Sequence, residues 1–290
     1  MQMSEQVLLK YEKRFESVME NINRAAEAIR LMDEYSRKMN PPDKLWGDHF
    51  AESINKRNGG IPFTLRDHVR AMVYSMLSAE RPWLVIAEKE NQINEIFYDF
   101  YPDRIMAESF ENFVDKIRKI NCGNRRIRFQ MKALKNNIEK LKSFEQCCGS
   151  VDEYYVTAMG NGALLSELVV LLSDSRRKEK LKELGVPLAS EYLRRVGYDI
   201  PKPDRHIQRV LGSRILGCTE KEIATYSEVF GIFQELKKAL NKSACEIDSI
   251  LWTYCAKGYE PICTATDPKC TQCVASEYCI TGRRKKVSMI

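Results

Sequence analysis

Four cysteines near the C-terminal end constrain the fold of this chain more than any other feature. Cys263, Cys270, Cys273 and Cys279 lie within seventeen residues, in the spacing C-x6-C-x2-C-x5-C. Four thiolates so closely spaced can surround one metal centre, and both zinc and iron–sulfur clusters accept four cysteine ligands. Zinc sites usually contain two short C-x2-C turns far apart in sequence, whereas this stretch contains one, with longer loops on both sides. The longer loops favour a bulkier ligand than a single zinc ion.

The length and the apolar content of the chain indicate the number of lobes and the cellular compartment. Its 290 residues suffice for one large core or two modest ones, which favours two lobes. Met1 to Met32 is amphipathic and charged throughout, unlike a signal peptide. The longest apolar stretch, Ala163 to Leu172, contains Glu167 and is too short to span a membrane. We therefore expect a cytoplasmic protein whose remaining cysteines are reduced.

Positive charge is concentrated in one segment of the chain. Between Arg176 and Gly217 there are eleven Lys or Arg and five Asp or Glu, and this excess equals the net charge of +6 of the whole chain. A concentrated basic face is typical of a surface that binds phosphates, although basic helices are also common as solvated surfaces.

Helical periodicity dominates the sequence. Glu5 to Asn40 is predicted to form one long helix or two shorter ones, ended by Pro41-Pro42. Residues 41–63 are predicted to be irregular, and Thr64 is predicted to cap a helix that runs to Leu77. Strand alternation is almost absent, so the sequence predicts an all-α protein. Further helices are predicted at residues 84–97, 107–118, 124–142, 150–158 and 162–172.

The basic segment contains a turn between two stretches of helical periodicity. Leu184-Gly185-Val186 is predicted to form the tight turn, and a helix follows it as far as Gly197. Pro201-Lys202-Pro203 then precedes Asp204, which opens a further helix with the sequence Asp-Arg-His-Ile-Gln-Arg. An aspartate at a helix start is ordinarily an N-cap that accepts backbone hydrogen bonds. A catalytic carboxylate at the same position is compatible with capping.

These features together resemble the endonuclease III-like superfamily of helix-hairpin-helix DNA glycosylases. In that superfamily a hairpin turn docks a DNA phosphate, an aspartate in an Asp-x-His-Ile/Val-x-Arg context acts on the flipped nucleotide, and a loop with this cysteine spacing holds a [4Fe–4S] cluster. Residues 204–209 match that context, and the similarity extends over about residues 60–280. The resemblance implies an all-α, two-lobed helix-hairpin-helix DNA glycosylase fold with a [4Fe–4S] cluster loop.

The resemblance also implies a domain organisation and a set of site residues. Residues 1–63 are expected to form N-terminal helices that pack with the C-terminal lobe. Residues 64–200 are expected to form a central bundle that ends in the helix-hairpin-helix, and residues 201–290 the C-terminal lobe with the cluster loop. Asp204 is the expected catalytic residue, and the four cysteines are the expected cluster ligands. The expected DNA-binding residues are Gly185, Val186, Leu188, Glu80, Arg81, Arg205, His206 and Lys269.

Two departures from the superfamily pattern affect the expected chemistry. In members with lyase activity a lysine stands four residues after the first glycine of the hairpin, where this chain has Ala189 followed by Ser190. Neither side chain can form a Schiff base, and Lys180 and Lys182 lie on the other side of the turn. The sequence therefore resembles the monofunctional members, in which water is the nucleophile. Pro187 replaces the second glycine of the hairpin and has no N–H with which to bind a phosphate.

The expected mechanism follows from the chemistry of the N-glycosidic bond. Its cleavage builds positive charge on the deoxyribose, and a carboxylate such as Asp204 stabilises that charge and orients or deprotonates a water. The target base must first leave the stack, and Glu80, Arg81 or Trp83 is expected to fill the gap. Trp83 more often belongs to a core in such a position. Arg125, Arg126 and Arg128 fit either phosphate contacts or a solvated helix start.

The sequence thus predicts a monofunctional glycosylase that removes a damaged or mispaired base from double-stranded DNA containing a lesion or mismatch. The expected enzyme is a nucleoid-associated monomer with a [4Fe–4S] cluster. One alternative is a non-catalytic DNA-binding or lesion-sensing protein with the same fold. A second alternative is a bifunctional glycosylase and AP lyase that uses a lysine placed elsewhere.

Overall fold

The structure is a computed structural model that describes residues 5–39, 47–160, 162–256, 259 and 261–287. Within these residues the chain is helical and contains no strand, which confirms the predicted all-α class. No helix in these ranges has the length and apolar character needed to cross a membrane. The helices are α1 (Glu5–Met39), α2 (Gly47–Asn58), α3 (Leu65–Leu77), α4 (Trp83–Ala87), α5 (Glu90–Ile96), α6 (Pro102–Ala107), α7 (Phe110–Lys119), α8 (Ile127–Cys148), α9 (Val151–Met159), α10 (Leu165–Ser173), α11 (Val186–Arg195), α12 (Arg205–Leu211), α13 (Tyr226–Leu240), α14 (Ala244–Thr253) and α15 (Ile280–Val287).

The chain divides into two compact units. The first combines the N-terminal segment up to Asp48 with residues from Pro203 onward, and the second runs from His49 to Lys202. The predicted Pro41-Pro42 helix stop lies outside the described residues. Of the two alternatives predicted for Glu5 to Asn40, one long helix or two shorter ones, the structure has one long helix, α1.

The first unit is built by packing α1 against helices from the C-terminal part of the chain. Ile22, Ala25 and Ile29 recur at helical spacing along α1, are fully buried and face α13 and α14. Capping boxes at Thr225 and Ser243 begin α13 and α14 by satisfying the backbone N–H groups of their first turns. Helices from both ends of the sequence therefore share one core.

In the second unit α3 is the central helix. Nine of its residues are buried, and it packs against α8 and α11. Thr64 accepts a hydrogen bond from the backbone N–H of Asp67, whose carboxylate accepts one from the backbone of Thr64. This capping box confirms the start predicted for the helix from the sequence, and its end at Leu77 is also confirmed.

Residues 49–63 differ from the sequence-based expectation. We predicted an irregular segment that packs with the C-terminal lobe, but most of it forms α2 and belongs to the second unit. Phe50 is buried beneath the guanidinium of Arg194, which lies 4.2 Å from the ring centroid. Arg57 donates from Nε to the carbonyl of Val196 at 2.7 Å. These contacts attach α2 to the end of α11.

Gly197 permits this attachment. Its φ of +80° lies in the left-handed region, and a Cβ at this position would lie 2.3 Å from the carbonyl oxygen of Ser53 in α2. A side chain here would therefore clash with the α2 backbone in addition to straining its own.

A buried polar network joins four helices of the second unit. Nδ1 of His68 lies 2.6 Å from the hydroxyl of Tyr192, and Nε2 lies 3.3 Å from Oδ1 of Asp152. Arg57 donates from Nη2 to the same carboxylate oxygen at 2.8 Å. Burial raises the pKa of Asp152, but the contacts with His68 and Arg57 outweigh burial and lower the pKa to about 2.

A second buried network surrounds one carboxylate on α11. The side chain of Glu191 is 3% exposed and lies 2.8 Å from Arg194, 2.7 Å from Arg195 and 3.5 Å from Lys202. Burial raises the pKa of Glu191, but the three cations outweigh it and hold the pKa well below its usual range. The carboxylate is therefore ionised inside the unit and holds three positive charges together.

Candidate functional site

The cysteine loop follows α14 and is held closed by backbone hydrogen bonds. The amides of Ile262 and Cys263 both donate to the carbonyl of Tyr254, at 3.1 and 3.0 Å. The amide of Lys269 donates to the carbonyl of Ile262 at 2.9 Å, which closes the six-residue stretch between the first two cysteines. Lys269 itself is exposed at the surface of this loop.

Hydrogen-bond donors from three directions reach sulfur atoms of the predicted ligands. The hydroxyl of Tyr254 lies 3.4 Å from Sγ of Cys273, and the amide of Gly282 lies 3.3 Å from Sγ of Cys279. Nη1 of Arg209 lies 3.5 Å from Sγ of Cys263. Donors aimed at cysteine sulfur are characteristic of iron–sulfur proteins, in which they tune the cluster.

A fifth cysteine, Cys255, lies beside Cys263, the first cysteine of the loop. Nη2 of Arg209 is 3.6 Å from its Sγ, and its thiol forms a hydrogen bond with Cys263. This hydrogen bond and the charge of Arg209 outweigh burial and lower the pKa of Cys263 to about 6. Its hydrogen bond with Cys263, together with burial, holds the pKa of Cys255 well above its usual range.

The chemistry of this loop fits a thiolate-ligated group. The pKa of Cys263 is lowered toward the thiolate that metal ligation requires, whereas burial raises the pKa of Cys273 and of Cys279; donors from Arg209 and Tyr254 face two of the sulfurs. Within the described ranges, no set of three or more His, Cys, Asp or Glu side chains is arranged to hold a metal ion. The [4Fe–4S] cluster stays a prediction.

Asp204 occupies the start of α12 as its N-cap. Its Oδ1 accepts hydrogen bonds from the amides of His206 at 2.8 Å and Ile207 at 3.1 Å. Across the described part of the chain Oδ2 has no hydrogen-bond partner, and the side chain is partly exposed. The cap thus fixes the orientation of the carboxylate and leaves one oxygen available. Arg205 is exposed beside it, and His206 is half-buried.

The hairpin turn lies at the start of α11. Gly185 is exposed and is the N-cap residue, Val186 begins the helix, and Pro187 lies in its first turn. Val186 and Leu188 are half-buried and carry the N–H groups of that turn, because Pro187 has none. Any phosphate contact at this helix end therefore depends on their amides.

The helical segment predicted before this turn is absent from the structure. The described residues between α10 and α11 form turns, and Glu183 has a φ of 64°. Two side chains of α8 form hydrogen bonds with the backbone of this segment. Asn137 exchanges two hydrogen bonds with the backbone of Lys182, at 2.9 and 2.8 Å. Lys140 donates to the carbonyl of Lys180 at 2.9 Å.

The segment after α3, predicted to supply the residue that fills the DNA gap, contacts a neighbouring loop. Glu80 has a φ of 57° and forms a bidentate ion pair with Arg125, with both N–O distances 2.9 Å. Arg81 donates from Nε to the carbonyl of Gly123 at 2.7 Å. Trp83 is half-buried and lies 4.5 Å beneath the guanidinium of Arg195, which agrees with a packing role.

Comparison with known proteins identifies the fold. No family model matches the chain, and no curated protein matches it either. A solved structure of the 8-oxoguanine glycosylase/lyase of Methanocaldococcus jannaschii, in complex with a 15-mer DNA containing 8-oxoguanine, is 18% identical with a TM-score of 0.53 and covers 77% of this chain and 95% of that chain. The 8-oxoguanine DNA glycosylase of Thermotoga maritima is 19% identical with a TM-score of 0.52 and covers 80% and 98%.

The chain has the fold of these glycosylases. This confirms the fold that the resemblance to helix-hairpin-helix DNA glycosylases implied. At this level of identity the match is evidence for the fold alone. The cluster loop is not part of what the comparison establishes.

The structure shows how accessible the residues are at the start of α11, where a lyase lysine would stand. Ala189, the position counted for a lyase lysine, is fully buried, as is Ser190. A residue that attacks a DNA sugar has to be accessible, and neither of these side chains is exposed on this face of α11. The accessible residues of the first turn are Val186, Pro187 and Leu188, and none of them carries an amine.

Three residues near the cysteines were not predicted from the sequence. Arg209, Tyr254 and Cys255 all contact sulfur atoms of the predicted ligands in the structure. A signal existed for Arg209, because it is the arginine of the Asp-x-His-Ile-x-Arg stretch. Tyr254 and Cys255 end and follow a helix of ordinary apolar pattern, and nothing in their spacing marks them.

Proposed function

We propose that this protein is a DNA glycosylase that hydrolyses the N-glycosidic bond of a damaged or mispaired base flipped out of double-stranded DNA. The observation that carries this proposal is the hydrogen bonding of the two carboxylate oxygens of Asp204. One carboxylate oxygen is fixed by the first turn of α12, and the other has no hydrogen-bond partner in the described part of the chain. This carboxylate lies in a fold shared with two 8-oxoguanine glycosylases.

Asp204 acts on the sugar of the flipped nucleotide. As the base departs, its negative charge stabilises the positive charge that develops on the deoxyribose. Oδ2 accepts a proton from the attacking water, while Oδ1 stays bound to the backbone and keeps the carboxylate in place. The flipped base leaves its stack at a cost of roughly a few kcal/mol, which is least for a mismatched or damaged base.

Cys263, Cys270, Cys273 and Cys279 hold a [4Fe–4S] cluster in this proposal. When bound, the cluster supplies a rigid centre for the loop and no step of glycosidic hydrolysis, a reaction without net electron transfer. Arg209 and Tyr254 donate hydrogen bonds to two of the ligating sulfurs and thereby orient the loop. Lys269 is left exposed for a DNA phosphate.

Water is the proposed nucleophile because the accessible first turn of α11 has no lysine. A second candidate, a combined glycosylase and lyase, is favoured by one observation. Lys180 is half-buried, and its Nζ donates to the carbonyl of Leu184 at the hairpin turn. Burial lowers the pKa of Lys180 below its usual range against the opposing charges of Glu183 and Asp174, as a Schiff-base lysine requires.

The test is base release by the purified, cluster-loaded protein from end-labelled duplexes. The two structural neighbours make 8-oxoguanine the first lesion to test, beside deaminated, alkylated and mismatched bases. Each reaction is divided and analysed with and without hot alkali, and Asp204→Asn is run in parallel. Strand breaks that require alkali and disappear in Asp204→Asn are the expected result.

Other results distinguish the alternatives. Breaks without alkali, together with a borohydride-trapped covalent complex that is absent in Lys180→Arg, establish the lyase. Trapping that persists in Lys180→Arg points to another amine. DNA binding without release of any base overturns the enzyme and favours a lesion-sensing protein.

A further inference from the structure

Two separate segments of the second unit contact the loop between α7 and α8. We call residues 120–126, which end where α8 begins, the arginine loop. Its Arg125 pairs with Glu80, which follows α3, and its Arg126 pairs with Glu183, which precedes the hairpin turn, at 2.7 Å. The loop therefore contacts two of the segments for which DNA contact was predicted from the sequence.

The arginine loop is shaped by its own hydrogen bonds. The side-chain amide of Asn124 donates to the carbonyl of Met76 at 3.0 Å and to Gln130 at 3.1 Å. Its carbonyl oxygen accepts from the amide of Arg126 at 2.8 Å. Arg81 also binds the loop through the carbonyl of Gly123. The loop is thus fixed to the end of α3, and its arginine side chains project from a defined backbone.

The arginines of this loop are exposed although each has a carboxylate partner. The side chain of Arg125 is 85% exposed and that of Arg126 is 54% exposed. Arg126 also lies 4.7 Å from the ring centroid of Phe129, which is itself 56% exposed. An aromatic ring beneath a guanidinium orients the plane of the guanidinium and leaves the N–H edge of that group directed outward.

We infer that Arg125 and Arg126 bind DNA backbone phosphates, and that Glu80 and Glu183 occupy the same guanidinium groups until DNA replaces them. This inference rests on the proposed glycosylase function and names residues that would hold its substrate. A phosphate offers an arginine fork the same bidentate contact that each glutamate now makes, so one anion can replace the other without a change in geometry. Exchange of one anion for another therefore requires little free energy. The released glutamate then faces a phosphate and opposes binding.

Four arginines and three glutamates meet on this surface, so replacing a glutamate by a phosphate leaves each arginine with an anionic partner. Arg81, Arg125, Arg126 and Arg128 come from this one region, and the carboxylates beside them are Glu80, Glu183 and Glu111. Removal of an arginine and removal of its glutamate partner have opposite effects on DNA binding. If an ion pair only stabilises the loop, removal of the arginine and removal of the glutamate should not have opposite effects on DNA binding.

The experiment measures the dissociation constant by fluorescence anisotropy, using a fluorescein-labelled duplex with one 8-oxoguanine and its undamaged counterpart. Sodium chloride is varied from about 50 to about 200 mM. Arg125→Ala and Arg126→Ala are each expected to reduce the slope of log Kd against log salt by about one. Glu80→Gln and Glu183→Gln are expected to tighten binding about two- to fivefold. Combining Glu183→Gln with Arg126→Ala should reduce that tightening, as a double-mutant cycle requires.

The matched control is a second exposed pair on the same unit. Arg70 and Glu90 lie 2.6 Å apart with side chains 51% and 50% exposed. Arg70→Ala and Glu90→Gln change the charge equally and should leave the slope unchanged. Circular dichroism melts of all variants establish that they fold.

The outcomes separate this inference from the proposed function. If the wild type binds duplex DNA and releases a base but neither arginine variant changes the salt slope, the inference is overturned and the glycosylase stands. If the Arg70 control lowers the slope as much, the effect is one of general charge and the inference also fails. A wild type that neither binds nor processes any duplex overturns both.

Discussion

Nη1 of Arg209 lies 3.5 Å from Sγ of Cys263, and its Nη2 also donates to the backbone carbonyl of that cysteine. Arg209 stands in the last turn of α12, whose N-cap is Asp204. One helix of seven residues therefore carries the proposed catalytic carboxylate at its start and a donor to the first cysteine of the loop near its end. The cysteine loop and the carboxylate are tied to the same rigid element.

Replacing Arg209 with alanine is expected to weaken retention of the cluster. The change removes the donor to Sγ of Cys263 and leaves the partly buried carbonyl of Cys263 without this partner. Loss of such an outer contact typically lowers metal affinity about 10- to 100-fold. Iron remaining after a timed chelator challenge is the measurement. Arg205→Ala, on the exposed side of the same helix, should retain iron as the wild type does, and equal loss in both would contradict the assignment.

Replacing any of the four loop cysteines with serine is expected to abolish the cluster. Protein purified without oxygen should contain about four iron and four sulfide per chain, with visible absorbance that each of the four variants lacks. Cys147→Ser is the control, because Cys147 is exposed at the end of α8. Stoichiometric zinc in place of iron would show that the ligand is a zinc ion instead.

Asp204→Asn should lose base release while the fold is kept. Asparagine caps a helix as well as aspartate, so thermal stability should change little, whereas removal of the carboxylate should slow release by about 10²- to 10⁴-fold. Asp204→Ala should in addition lose about 1 kcal/mol of unfolding free energy with the cap. Single-turnover release and thermal melts separate the two effects. Full activity in Asp204→Asn would remove Asp204 from the mechanism.

Asp152→Asn should destabilise the protein in a pH-dependent manner. The folded pKa of about 2 lies below the unfolded value of about 3.9, so the carboxylate stabilises the fold fully above about pH 5 and loses this contribution as the pH falls toward 2. The variant should cost about 2 kcal/mol at pH 7 and about half as much at pH 3. Urea unfolding at a series of pH values provides the comparison. A difference that does not vary with pH would mean that Asp152 acts through packing.

Glu191→Gln should be among the most destabilising single substitutions in the second unit. It leaves Arg194, Arg195 and Lys202 around a neutral amide with little access to water. Breaking a buried ion pair by removing one partner costs about 3–5 kcal/mol. Glu139→Gln, on the exposed face of α8, is the control and should change stability by less than about 0.5 kcal/mol. Equal stability of the two variants would show that the network is well hydrated.

Local signals in the sequence predicted helix caps correctly, because a cap is determined by neighbouring residues. Thr64 and Asp204 were predicted as caps because a cap depends on residues within one turn, and both are caps in the structure. The helix predicted over residues 84–97 is instead α4 and α5, separated by a turn at Glu88 and Lys89. The break leaves the overall periodicity nearly unchanged, which is why the sequence did not reveal it.

Features that depend on distant partners could not be derived in this way. The segment before the hairpin lacks its predicted helix because Asn137 and Lys140 of α8 bind its backbone, and no local pattern shows that. The buried position of Ala189 depends on how α11 packs against α3 and α10. The partners of Arg125 and Arg126 likewise come from segments far away in sequence.

The discontinuous first unit has a consequence for how the protein is made. During synthesis α1 leaves the ribosome before the second unit, yet the helices that cover Ile22, Ala25 and Ile29 are translated only after Pro203. At ordinary elongation rates the intervening unit takes on the order of ten seconds to emerge, and it is complete in sequence before the first can close. Nascent chains should therefore acquire protease resistance in residues 49–202 while α1 is still cleavable. A chaperone at the ribosome should bind the apolar stripe of α1 in that interval.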